Sequence, residues 1–138
     1  MDYFKPDMTG SQINAISVLG LAHVGDAVYE LMTRASLCKT GHTAVHDLHK
    51  LATSRVNAPA QANATELLLP ILTEEERTIF RRGRNAHVNS VPHAANICQY
   101  HAATALEVLF GWLYLQGRME RLNELFALIE ASYTEREG

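Results

Sequence analysis

The chain has 138 residues, 47% of them hydrophobic, with 12 Lys and Arg against 15 Asp and Glu. That length supports one core rather than two domains of ordinary size, so residues 1–138 are expected to form a single domain. A formal net charge of −3 excludes a protein that coats nucleic acid through bulk charge, but not one that gathers its cations on one face.

The first residues, MDYFKPDMTG, are acidic and mixed, unlike a signal peptide. No apolar run reaches the ~20 residues of a membrane span. Cys38 and Cys98 lie far apart within apolar patterns and read as buried free thiols of a reducing compartment. A cytoplasmic protein with no membrane contact is the expectation.

From Thr9 to Leu37, the residues Ile13, Ile16, Leu19, Val24, Ala27, Val28, Leu31 and Ala35 recur at helical spacing, interrupted near Gly20. This predicts a short helix and then a longer one bearing Asp26, stopped by Lys39-Thr40-Gly41. Thr43 is the expected N-cap of a helix carrying Val45, Leu48, Leu51 and Ala52. Another helix is expected from about Arg55 through Leu69, with Pro59 in its first turn and Pro70 ending it.

Thr73-Glu74-Glu75-Glu76 has capping-box spacing and opens a helix reaching about Asn85. The latter part of the stretch from Arg81 to Pro92 reads as a surface loop. A long helix should then run from about Ala94 to Leu115, with Ile97, Leu106, Leu109, Phe110 and Leu113 in the core and Gly117 as its stop. A last helix carries Met119, Leu122, Leu125, Phe126 and Ile129. No segment alternates in the manner of a strand, so the predicted fold class is all-α, a helical bundle.

Two acids stand alone in apolar surroundings: Asp26 within LGLAHVGDAVYELM and Glu107 within AATALEVLFGWLYLQG. Each either faces solvent or, if desolvated, needs a partner, a water or a cation. Carboxylates on two packed helices can meet, and they would offer hard oxygen ligands to magnesium, which keeps several waters and needs few protein ligands. Gly25 and Gly111, beside or one turn from these acids, weaken a helix unless a tight crossing or a ligand requires them.

Positive charge is densest at Arg81-Arg82-Gly83-Arg84-Asn85, joined by His87. This cluster suits contact with phosphate and sugar, the plainer alternative being a solvated helix end. His49, Lys50 and Arg55 form a second, weaker group that could cradle an RNA backbone. His42, His46 and His49 have the spacing of one helix face, yet no companion Cys or HExxH pattern supports a transition-metal site. The sequence also lacks GxxxxGK[ST], GxGxxG and GxSxG, which leaves nucleotide-hydrolase, dinucleotide-binding and esterase readings without support.

The ordered strings LGLAHVGDAVYE, FRRGRNAH, VPH and ATALEVLFGWLYL, together with LHKLAT and the AQA at residues 60–62, resemble the Mini-ribonuclease III family over residues 13–130. The resemblance implies the ribonuclease III catalytic fold without the double-stranded-RNA-binding domain of larger relatives. It further implies a homodimer with one site per protomer and magnesium-dependent cleavage of double-stranded RNA to 5′-phosphate and 3′-hydroxyl ends. The implied substrate is precursor ribosomal RNA of the large subunit (23S), with room for an accessory ribosomal protein on that substrate.

Larger relatives carry a Glu four residues before the Gly-Asp acid and an Asp three residues before the final Glu. Here those places are Ala22 and Thr104. Asp26 and Glu107 therefore remain as the implied catalytic and metal-holding carboxylates, their shell completed by water, RNA phosphate or another side chain. Glu30, one turn after Asp26, is a candidate outer contributor. Two competing readings stand beside this one: a non-catalytic ribonuclease III-like module that binds RNA or a ribosomal particle, and a helical interaction or metal-storage bundle built on the histidines.

Overall fold

The computed structural model describes residues 1–86 and 96–137 and contains no strand among them. Its elements are α1 (Gly10–Asn14), α2 (Val18–Lys39), α3 (Val45–Val56), α4 (Ala58–Leu68), a 3-10 turn (Leu69–Ile71), α5 (Glu74–Arg84), α6 (Ile97–Leu115) and α7 (Met119–Glu137). The all-α expectation holds.

Side chains that accept from the first unpaired backbone N–H groups set most of the starts. Thr9 and Gln12 form a capping box on α1, Ser17 Oγ accepts from Gly20 N at 3.0 Å, and Asn57 Oδ1 accepts from Ala60 N at 2.9 Å. Thr73 and Glu76 form the capping box expected for α5. Asn96 accepts from Cys98 N and Gln99 N to open α6. Gly41 and Gly117 take positive φ, 104° and 73°, and the N–H groups that follow them return to Leu37 O and Leu113 O, closing α2 and α6.

Several sequence expectations are corrected. The break between α1 and α2 falls at Ser17, not at Gly20, because the Ser17 hydroxyl caps a helix that Gly20 already belongs to. Ala44, not Thr43, is the N-cap of α3, and no side chain caps it. Arg55 closes α3 rather than opening α4, since Asn57 provides a cap between them. Cys38 and Cys98 are exposed, and Ile97, in the first turn of α6, is 57% exposed. The expected loop after Ala86, His87 within the basic cluster, and the helix start at Ala94 lie outside the described residues.

Helix α6 is the central strut. Every residue from Ala103 to Leu113 is buried except Glu107, and α2, α4, α5 and α7 pack around it. The inward face of α2 is Leu21, Ala22, Gly25, Tyr29, Thr33, Ser36 and Leu37. Tyr29 stands edge-on to Phe110 at 5.3 Å and to Phe126 at 5.9 Å, tying α2, α6 and α7 together. Burial first, then the neighbouring Tyr133, push its phenol above the ordinary range, so the ring is a neutral packing element.

Glu76 has no exposed surface. It accepts from Arg121 Nη2 at 2.7 Å and Nε at 2.8 Å, while Arg121 also donates to Ile71 O. Burial alone would raise the Glu76 carboxyl. The bonds from Arg121 and the Thr73 N–H outweigh it and hold the acid below its usual range. This fork pins the start of α5 to α7. No helix among the described residues is long and apolar enough to cross a membrane.

Candidate active site

The site is built on a glycine crossing. A Cβ on Gly25 would overlap the backbone carbonyl of Glu107 and stand 2.8 Å from Gly111 N, and a Cβ on Gly111 would overlap the carbonyl of Leu21. Only residues without a Cβ let α2 and α6 approach this closely. Asp26 follows Gly25 and Glu107 lies one turn before Gly111, so the contact that requires the glycines also brings the two acids together.

Asp26 is exposed and Glu107 half-buried, and their carboxyl groups lie within hydrogen-bonding contact. Glu107 is pushed up to about 8, by burial first and then by the hydrogen bond and negative charge of Asp26. Gln61 opposes the rise through a hydrogen bond that favours the charged form. Two mutually repelling oxygens, one open to solvent, fit a small hard cation that keeps much of its water. The described residues contain no group of three or more His, Cys, Asp or Glu able to hold a metal.

Ala22 and Thr104 are both buried. The Thr104 hydroxyl donates back to Tyr100 O at 3.1 Å, and neither place supplies an acid. Glu30, one turn after Asp26, accepts from the exposed Arg34 Nη2 at 2.6 Å through one carboxylate oxygen. The histidine trio forms no metal-holding group among the described residues.

Arg81, Arg82, Arg84 and Asn85 are exposed at the end of α5. Gly83 between them is buried, where a Cβ would press on Ala105 and Val108 of α6. The α5 end thus lies against the stretch of α6 that carries Glu107, with its arginines turned out. His49 and Lys50 are exposed on α3. Arg55 is not available beside them: it is 6% exposed, with its guanidinium 4.4 Å from the centre of the Tyr133 ring. Its place is in the packing of α3 against α7.

Sequence reasoning missed Gln61. It is 3% exposed and shares the buried face of α4 with Ala64, Thr65 and Leu68. The available signal was a long polar side chain on an inward stripe at i, i+3, i+4 and i+7.

Comparison with known proteins bears on the family and the fold. The profile of the Ribonuclease III domain family matches residues 19–118. Mini-ribonuclease 3 of Symbiobacterium thermophilum is 46% identical, over 78% of this chain and 82% of its own. Mini-ribonuclease 3 of Brevibacillus brevis is 43% identical, over 85% and 90% respectively. A crystal structure of a Fusobacterium nucleatum protein superposes with a TM-score of 0.77 at 29% identity, covering 87% of this chain and 97% of that one. With a family match across most of its length and relatives well above 30% identity, the chain belongs to the Mini-ribonuclease III family of endoribonucleases.

Proposed function

We propose that this chain is a magnesium-dependent endoribonuclease that cuts double-stranded RNA as a cytoplasmic homodimer, with the precursor of large-subunit (23S) ribosomal RNA as its substrate. The observation that carries the reading is the meeting of Asp26 and Glu107 across the Gly25–Gly111 crossing.

In this reading residues 1–138 act as one catalytic unit, and Asp26 and Glu107 hold the cation without either acting as a nucleophile. Bound magnesium supplies a more acidic attacking water and offsets charge that develops on the phosphate and the leaving oxygen. Asp26, on the open side, meets solvent and the RNA backbone. Glu107, half-buried, would offer its carboxylate to the cation from the inner side, where burial and Asp26 otherwise favour its protonated form. Arg81, Arg82, Arg84 and Asn85 bind phosphates and sugars of the duplex, with His49 and Lys50 as a second contact. A-form RNA is read mainly by shape and backbone, which suits such a surface.

A homodimer is supported by the outer face of α2, where Val24, Ala27, Val28 and Leu31 border an apolar groove of about 490 Å³ completed by Phe4 and Met119. Leu31 is 59% and Phe4 80% exposed. A second copy related by a two-fold axis would cover this face and set two sites against the two strands of one duplex.

Loss of acids at Ala22 and Thr104 favours a rival, a module that binds RNA or a ribosomal particle without cutting it. Incubation of the purified protein with long duplex RNA and magnesium, followed by mapping of the ends, separates the two. The proposal expects cuts on both strands with 5′-phosphate and 3′-hydroxyl ends. Retained binding with intact RNA would establish the rival.

A further inference from the structure

Gln61 carries a polar amide in a place that ordinarily excludes one. It is 3% exposed, on the α4 face that otherwise buries Ala64, Thr65 and Leu68. A buried amide costs stability unless its donors and acceptor are paired. Its polar neighbour is Glu107 on α6, whose carboxylate the Gln61 side chain favours in the charged form through a hydrogen bond. Glu107 is therefore gripped from two sides. Asp26 approaches from α2, the open side, and Gln61 from α4, the closed side.

An amide suits this position for chemical reasons. Its NH₂ can donate to one Glu107 oxygen and fix the carboxylate plane, leaving the other oxygen free to turn toward Asp26. A carboxylate there would add a third negative charge, and an aliphatic residue would leave the Glu107 rotamer unrestrained. Ala22 and Thr104, where larger relatives are expected to carry acids, lie on the helices of Asp26 and Glu107 themselves. Gln61 comes from a different helix and compensates by orientation rather than by charge.

We propose that Gln61 is a positioning residue of this site, holding the Glu107 carboxylate in the orientation that binds a divalent cation and supports cleavage. The inference rests on the proposed nuclease function for its catalytic half, whereas its cation-binding half can be read without RNA.

The test compares the full-length protein with Gln61→Met, which keeps length and volume but removes the hydrogen bond, and Gln61→Asn, which keeps an amide but withdraws it by one methylene. Three quantities are read: Mn²⁺ affinity by electron paramagnetic resonance without RNA, kcat and KM on duplex RNA, and the thermal midpoint. Positioning predicts that both variants lose ~10- to 100-fold in Mn²⁺ affinity and kcat, as for other groups that orient ligands, with KM for duplex unchanged and folding retained. Wild-type Mn²⁺ affinity and kcat in Gln61→Met, with losses only in Gln61→Asn, would show a packing role and overturn the proposal. So would a change confined to KM. If the wild type cuts no RNA, the nuclease reading fails while the Mn²⁺ comparison still decides the role of Gln61.

Discussion

At Glu107 the fold holds a carboxyl group where its charge is disfavoured, through burial first and Asp26 second. Its folded value, about 8, lies above the ordinary value of 4.5, so the native protein keeps a proton there that the unfolded chain releases. The contribution of this group to stability is therefore fully present below about pH 4.5 and is lost as the pH rises toward 8. Without divalent ions, the thermal midpoint should fall between pH 5.5 and 8, and Glu107→Gln should flatten that fall. Parallel profiles for the two proteins would contradict the assignment. Glu76, held low by Arg121, titrates below this window and does not confound it. Among individual residues, the approach of Asp26 and Glu107 to each other was legible because two acids, each alone in an apolar helix, can meet where those helices pack. Arg55 was misread because its sequence neighbours His49 and Lys50 are exposed while its own position turns inward. Gln61 was not legible because only packing shows which acid a buried amide meets.

The start of α5 was legible in the Thr73–Glu76 capping box and Pro59 fell in the first turn of α4 as expected, but the starts at Ser17, Ala44 and Asn57 were misplaced, Ala44 having no side-chain cap to mark it. The orientation of α2 was harder to read. Its apolar residues Leu19, Ala27, Leu31 and Ala35 face outward, while Thr33 and Ser36 face in. Sequence periodicity cannot tell a face that packs within the chain from one that is covered by another chain. The element that matters most for function is the α2–α6 crossing. Gly25→Ala would force a Cβ into the Glu107 carbonyl, and rigid backbone cannot give way as a side-chain tip can. Denaturant unfolding should show a loss at or above the upper end of the ~1–3 kcal/mol typical of overpacking, together with loss of cation binding. A neutral effect would mean that the helices do not cross as described.

For the whole molecule, the proposed dimer makes the outer face of α2 an interface rather than a free surface. Leu31→Asp would place a charge on that apolar face and should shift sedimentation from dimer to monomer, lowering cleavage of both strands together. A wild-type protein that sediments as a monomer, or a dimer unaffected by Leu31→Asp, would remove this face from the assembly. The fold class and family were legible across the chain because four motifs fall in order along it. The face that would join two copies was not, since no pattern in one chain marks the surface that meets its copy. The central claim is that Asp26 and Glu107 form one catalytic centre. Its most direct test is duplex cleavage by Asp26→Asn and Glu107→Gln, measured beside RNA binding and folding. The account predicts that each variant binds duplex and folds normally while its cleavage rate falls by ~100-fold or more. Wild-type cleavage by either variant would contradict it.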